Sequence, residues 1–129
     1  MITTVVALLI AVIPAIFVAE SVAKRRRVAK WKHSHVNIGD DEFVASVGSV
    51  SVPRDAVIRV RQEIARATRL PVNLISASAP IRELEMVSNG SHREILDYFT
   101  DLLPVAPPKD DSALMTVQDF VIEFGPQLT

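Results

Sequence analysis

The sequence contains no cysteine and few aromatic residues, which make up 5% of its 129 positions. Without cysteine the chain has no disulfide framework, no thiolate nucleophile and no Cys-based zinc site. With so few aromatic rings, we expect no extended stacking platform for single-stranded nucleic acid and no nucleic-acid partner. The length leaves room for one small domain rather than two.

Motifs that carry catalysis or bind metals are also missing. The sequence has no Gly-rich phosphate loop, no paired-carboxylate signature and no metal-ligand spacing. His92 is near serines and carboxylates along the chain, but one helical turn does not arrange a nucleophile, a base and an orienting group. His33 and His35 have no carboxylate nearby and are interpreted as solvated linker residues. We therefore predict a protein that is not an enzyme, with no catalytic and no metal-binding residues.

Charge is absent from residues 2–19, ITTVVALLIAVIPAIFVA. As a helix this stretch would extend about 27 Å, close to the roughly 30 Å of a bilayer hydrocarbon core. Pro14 is tolerated better in a membrane helix than in a soluble one. A cleaved signal peptide is the alternative, but its basic n-region is missing because Met1 directly precedes the apolar run. Residues 1–23 are therefore predicted to form a single transmembrane anchor.

A cation cluster without any acid follows the apolar run, whereas residues 36–129 carry a net charge of −6. By the positive-inside rule, the C-terminal domain is cytoplasmic, the N-terminus is outside and the membrane is the inner cell membrane. Residues 24–39 are predicted to form a basic juxtamembrane linker beside the lipid bilayer. The predicted membrane-interface residues are Lys24, Arg25, Arg26, Arg27, Lys30, Trp31 and Lys32.

Residues 40–129 are predicted to be helical. Acidic residues at 40–42 begin a short helix that ends at Gly48. Ser51 is predicted to cap the next helix, with Pro53 in its first turn and Pro71 after its end. Its buried stripe is predicted to consist of Val57, Val60, Ile64 and Ala67. Residues 81–84 are predicted to form one turn, followed by a break at 87–90.

Two further helices are predicted from their N-terminal caps. Ser91 and Glu94 form a capping box that opens a helix closed by Pro104. Thr116 caps the last helix, with Asp119 in its first turn. The residues with one-face helical spacing in that helix are Val117, Phe120, Val121 and Phe124. Because no segment alternates apolar and polar residues convincingly, the predicted fold class is all-α.

The order of these parts resembles the acyl carrier protein fold, a small four-helix bundle. Residues 114–124, LMTVQDFVIEF, look like the family's short helix and threonine-capped final helix. Residues 75–84, ISASAPIREL, look like the loop before the family's modified serine. The resemblance covers roughly residues 54–124 and rests on order and spacing. It implies that residues 40–129 form an acyl-carrier-like helical domain.

The resemblance also implies a function. In the family, a serine at the start of the second main helix is exposed and receives 4′-phosphopantetheine from a phosphopantetheinyl transferase. The thiol arm then carries an acyl group between acyl-transfer enzymes. Counting back without gaps from the following helix and the tail places Ser88 at this position, with Ser91 as the alternative. The resemblance thus predicts a membrane-tethered acyl carrier-like protein.

Two other functions stay open, because Val87 and Asn89 replace the aspartate and leucine that flank the family's serine. The first is an unmodified interaction module that docks a membrane-associated partner. Its candidate surfaces are an arginine face (Arg59, Arg66 and Arg69) and an acidic face (Glu83, Glu85, Asp97 and Asp101). The second is an accessory subunit whose membrane span packs within a complex.

Overall fold

A computed structural model describes residues 2–48, 51–88, 94–103 and 113–128. Within these ranges the chain is mostly helical and forms no β-strand, although one isolated bridge joins Pro80 to Thr116. The all-α prediction is confirmed for these ranges. Their α-helices are α1 (Ile2–Ser34), α2 (Asp40–Val47), α3 (Arg54–Thr68), α4 (Ile81–Ser88), α5 (Glu94–Leu102) and α6 (Val117–Phe124). Short 3-10 turns lie at Val72–Leu74 and Gly125–Leu128.

Helix α1 is 33 residues long, or roughly 50 Å at about 1.5 Å per residue. Its apolar N-terminal part is long and apolar enough to cross a membrane, and none of its most apolar 18-residue window is buried. The predicted boundary between residues 23 and 24 is not a helix end, because the basic residues continue the same helix to Ser34. The basic segment is therefore a helical extension of the apolar segment.

The C-terminal end of α1 belongs to the core of the helical domain. Trp31 is 4% exposed within the core cluster, and Val28 packs against that cluster. Helix α1 contacts α4 directly. His35, just after α1, lies 3.5 Å from Glu83 near the start of α4, and Arg27 lines the same cavity as Ser88 at the end of α4. The two helices therefore run antiparallel.

Helices α2 and α3 form as their termini predict, with one exception. The acids at 40–42 stabilise the positive N-terminus of α2, and Gly48 ends it with a φ of 83°. Pro53 takes the N-cap position of α3, and no side chain caps that helix. The prediction that Ser51 caps α3 is therefore wrong. Arg69 ends α3 in the left-handed conformation, with a φ of 57°.

The apolar stripe of α3 is buried at Val57, Val60 and Ile64, as predicted. Ala67 is only half-buried. Two charged residues of the same helix are also buried, Arg61 and Glu63, each 1% exposed. The periodicity of apolar residues does not predict these two, because it counts only hydrophobic side chains.

Helix α4 is longer than predicted. It extends to Ser88 instead of stopping at residue 84. Leu84 is fully buried, and the carboxylate of Glu85 accepts a 2.6 Å hydrogen bond from the backbone N–H of Glu94. Glu85 thus satisfies a first-turn N–H of α5 and joins the two helices. The predicted cap of α5, Ser91, lies outside the described residues.

Helix α6 begins with the capping interaction that the sequence predicts. The Thr116 hydroxyl accepts from the Asp119 N–H at 3.3 Å, and the Asp119 carboxylate accepts from the Thr116 N–H at 3.0 Å. The predicted apolar face is buried at all four positions. The ring centroids of Phe120 and Phe124 lie 5.5 Å and 5.0 Å from that of Phe99 in α5. This aromatic cluster packs α6 against α5.

The loop before α4 supplies the remaining partners of the α6 N-terminus. The N–H groups of Val117 and Gln118 donate to the carbonyls of Ala79 and Ala77, at 3.0 Å and 2.9 Å. A helix N-terminus leaves such first-turn donors without partners inside the helix. The loop and α6 are therefore fixed to each other through their backbones.

Candidate functional site

Ser88 is the residue that the carrier resemblance places at the attachment site. It is the last residue of α4 and is 2% exposed. Its hydroxyl donates toward the Glu85 carbonyl at 3.0 Å and the Glu94 carboxylate at 3.3 Å, and it has one proton to share between them. This differs from the exposed serine at a helix start that the resemblance implies. Ser91 lies outside the described residues.

The predicted membrane-interface residues all lie on α1, but they differ in exposure. Lys24 is half-buried against the helical domain. Trp31 lies in the core, so its ring does not face the bilayer as the predicted interfacial anchor would. The exposed members are Arg25, Arg26, Arg27, Lys30 and Lys32. The cluster therefore has a solvent-facing side and a side that contacts the domain.

The contact between α1 and α4 leaves an open groove of about 510 Å³, here termed the α1–α4 groove. Trp31, Met86 and Val87 supply much of its apolar lining. Met86 is 55% exposed. The charged residues along the groove are Arg27, Lys30, Arg82 and Glu83. It thus combines an apolar surface with a mainly positive rim.

Trp31 also carries a buried polar group. Its indole N–H is buried and has no hydrogen-bond partner among the described residues. Buried donors are nearly always paired, and an unpaired one costs about 1–3 kcal/mol. The neighbouring ring of His35 lies 4.6 Å from the Trp31 ring, and His35 Nδ1 lies 2.7 Å from the Trp31 carbonyl oxygen. His35 is therefore held against α1 rather than solvated in a linker.

A second cavity, of about 350 Å³, lies between the ends of α3 and α5 and is here termed the α3–α5 cavity. Its charged and polar lining includes Lys24, Arg66, Arg69, Ser88, Glu94 and Tyr98. The buried carboxylate of Glu63 accepts hydrogen bonds of 2.6 Å from both Arg66 Nη1 and the Tyr98 hydroxyl. The hydrogen bond from the Tyr98 hydroxyl to Glu63, together with partial burial, raises the pKa of Tyr98 above its ordinary value. Glu63 therefore fixes the orientation of Arg66 and Tyr98.

Arg61 is the residue that apolar periodicity missed. It donates from Nε to the Ile75 carbonyl at 3.0 Å and from Nη2 to the Ile38 carbonyl at 2.5 Å. Asp40 lies 3.3 Å from Nη1. Burial lowers the pKa of Arg61, and the Asp40 charge opposes that shift. Position 61 does continue the helical spacing of the buried residues 57, 60 and 64, so the signal was its position rather than its residue type.

The two docking faces predicted from charge are only partly present. Glu85 is 6% exposed and bonded to α5, so it is not part of an acidic surface. Glu83 is near His35, whereas Asp97 and Asp101 are exposed on α5. Of the predicted arginine face, Arg66 and Arg69 line one cavity. Arg59 is exposed two turns earlier on α3.

Comparison with known proteins finds no matching family model, no similar curated protein and no similar solved structure. The likeness to acyl carrier proteins therefore stays a prediction based on the order of the sequence motifs. The candidate functional sites are those that the geometry itself defines, the α1–α4 groove and the α3–α5 cavity.

Proposed function

We propose that this chain is a membrane-anchored docking module. In this proposal residues 2–19 cross the bilayer and the helical domain lies on the cytoplasmic side. The α1–α4 groove binds an acidic amphipathic helix of a partner protein. The observation that carries the proposal is Trp31, a residue of α1 that is buried in the domain core and lines the groove.

The position of Trp31 makes the groove a fixed extension of the anchor. One helix carries both the apolar segment and a core residue of the domain, so no flexible linker separates them. A partner bound in the groove would be held at a defined distance from the bilayer. Such confinement raises the effective concentration of the partner near other membrane proteins.

The distance from the apolar run favours a protein partner over an acyl chain. Arg27 and Ser34 are about 12 Å and 22 Å beyond Ala19 along the helix, at roughly 1.5 Å per residue. The headgroup layer extends only about 5–8 Å beyond the hydrocarbon core. The groove between these residues therefore opens to water beside the membrane, where a soluble segment has access.

The chemistry of the groove favours an acidic amphipathic helix. Its apolar residues would pack on Trp31 and Met86, in the helix-in-groove mode, and methionine adapts readily to a partner's shape. Its carboxylates would face the cations Arg27, Lys30 and Arg82.

A carrier role has less support from the geometry. The Ser88 hydroxyl is buried and hydrogen-bonded, whereas attachment of a phosphopantetheine arm requires a hydroxyl that a transferase can reach. No catalytic role is proposed. An accessory-subunit role for the membrane span is compatible with docking in the groove, because the two use different parts of α1.

The test uses the full chain in phosphatidylcholine nanodiscs and a synthetic amphipathic helical peptide with leucine on one face and glutamate on the other. Trp31 is the only tryptophan, so its fluorescence reports on the groove. We expect a saturable fluorescence change with this peptide and a much weaker one with a peptide carrying lysine in place of glutamate. Met86→Glu should abolish the change.

Met115→Glu is the matched control, because Met115 is 69% exposed outside the groove. It should leave peptide binding intact. Equal responses to the acidic and basic peptides, or an equal loss in both variants, would refute a specific acidic-helix groove.

A further inference from the structure

The α3–α5 cavity brings together cations from two separate helices. Lys24 belongs to α1, whereas Arg66 and Arg69 belong to the C-terminal end of α3. The ion pairs among the described residues involve neither Lys24 nor Arg69. Two cations that no described carboxylate pairs thus line one concave surface.

Cations outnumber carboxylates in the lining of this cavity. Glu63 is buried and already bonded to Arg66 and Tyr98, and Glu94 lines the cavity. The buried Glu85 carboxylate, bonded to the Glu94 N–H, lies beside them. The lining itself has three cations against one carboxylate, Glu94, so this surface favours an anion such as a phosphodiester.

The end of a helix dipole explains only part of this arrangement. Cations in the last turn of α3 favourably face its negative end, which accounts for Arg66 and Arg69. It does not account for Lys24, which comes from a different helix. The convergence of α1 and α3 cations therefore indicates an anionic ligand.

The distance of the cavity from the hydrocarbon core of the bilayer indicates the class of ligand. If residues 2–19 span the bilayer, Lys24 lies about 7–8 Å beyond Ala19 along α1. Lipid phosphates lie within the layer of about 5–8 Å that borders the hydrocarbon core. The cavity lined by Lys24 is thus at the level of the headgroups, nearer to the membrane than the α1–α4 groove.

We infer that the α3–α5 cavity binds the phosphate of an anionic phospholipid in the inner leaflet, through Lys24, Arg66 and Arg69. This inference rests on the membrane placement in the proposed function but not on the docking groove. A bound headgroup joins α1 to α3 and fixes the rotation of the domain against the bilayer surface.

The test uses the full chain in nanodiscs of phosphatidylcholine with a minority of phosphatidylglycerol, followed by native mass spectrometry of retained lipid. The double variant Lys24→Gln/Arg69→Gln removes two of the three cations that line the cavity. The matched control, Lys32→Gln/Arg59→Gln, also removes one cation from α1 and one from α3, but outside the cavity. Circular dichroism verifies that both variants are folded.

We expect the wild type to retain phosphatidylglycerol selectively and the cavity variant to retain about tenfold less, since each basic residue contributes to anionic-lipid attraction at the surface. The control should stay within about twofold of the wild type, as expected for cations that attract lipid only through general surface charge. Equal losses in both variants would overturn the inference, because surface charge alone would then explain retention.

A competition arm with inorganic phosphate distinguishes a lipid site from a free-anion site. We expect no displacement at millimolar phosphate, and displacement would overturn the assignment to a lipid. Alkaline extraction of the chain from vesicles is scored separately. Release by alkali would refute the membrane placement itself, whereas an integrated chain without lipid selectivity refutes only this site.

Discussion

Arg61 Nη2 donates a 2.5 Å hydrogen bond to the backbone carbonyl of Ile38. Ile38 lies in the segment that joins α1 to α2, so this bond connects that segment to the middle of α3. The same guanidinium lies 4.8 Å from the Phe43 ring centroid and bonds to the Ile75 carbonyl. One buried side chain of α3 therefore holds residues 38–43 and the loop before α4, which are distant in sequence.

Replacement of Arg61 by methionine should destabilise the domain. The change keeps much of the side-chain volume but leaves the carbonyls of Ile38 and Ile75 without their donors, at a cost of about 2–4 kcal/mol in the free energy of unfolding. Urea unfolding of the full chain in detergent, followed by circular dichroism, measures it. Arg59→Met on the exposed face of α3 should change stability by less than about 0.5 kcal/mol. Equal effects of the two substitutions would contradict the proposed role of Arg61.

Tyr98 should make the stability of the domain sensitive to alkaline pH. Its hydrogen bond to Glu63 favours the protonated phenol, so its pKa is raised in the folded state. The stabilisation is complete below the unfolded pKa of about 10 and is lost as the pH rises through the higher folded value. Absorbance titration of the single tyrosine measures the shift.

The Tyr98→Phe variant provides the control for that titration. It should be less stable at neutral pH by about 1–3 kcal/mol, because the buried Glu63 carboxylate loses a donor. As the pH rises, the stability of this variant should fall less than that of the wild type, because the variant has no Tyr98 hydroxyl to lose its proton. A wild-type tyrosine that titrates at its ordinary pKa would show that this bond does not persist in solution.

Gly125→Ala should destabilise the packing of the last turn against α3. A Cβ at this position would lie 2.6 Å from Val52 Cγ1, and valine has little freedom to move aside. We expect a loss of about 1–3 kcal/mol by thermal or urea unfolding. Val52→Ala combined with Gly125→Ala should recover part of it. Gly39→Ala, whose Cβ would meet nothing within 4 Å, should have the smaller effect.

Ser88 should not be modified by a phosphopantetheinyl transferase. Its hydroxyl is buried and bonded to Glu85 and Glu94, so the transferase has no exposed nucleophile to use. Intact mass spectrometry of the full chain after incubation with the enzyme and coenzyme A tests this. A mass gain that disappears in Ser88→Ala would instead support the carrier function, and a gain that disappears only in Ser91→Ala would move the site to that residue.

The proposed topology predicts a simple labelling pattern. Because the chain has no cysteine, Met115→Cys introduces a unique thiol at an exposed position of the domain. A membrane-impermeant maleimide should label it only after the cells are permeabilised. Ile2→Cys, at the opposite end of the chain, should be labelled in intact cells. Labelling of Met115→Cys in intact cells would place the domain outside and refute the proposed orientation.

The apolar segment, the short helix α2 and the capped helix α6 were predictable because their signals are local. The uncharged run is one contiguous segment of the sequence. The acids before the apolar face of α2 and the threonine and aspartate of α6 act within one or two helical turns. The end of α4 was predicted wrongly. Its last turn is held by Leu84 in the core and by the bond from Glu85 to α5, and neither contact is local.

The sequence by itself determined the helical class, the apolar span and the basic segment that follows it, because each depends on neighbouring residues or on composition. Only the tertiary structure placed Trp31 in the core and buried Ser88. It also brought Lys24, Arg66 and Arg69 to the lining of one cavity. Those placements depend on how α1 packs against α4, which also brings Lys24 to the end of α3. Burial and electrostatic environment are properties of contacts between segments distant in sequence, and residue periodicity does not specify them.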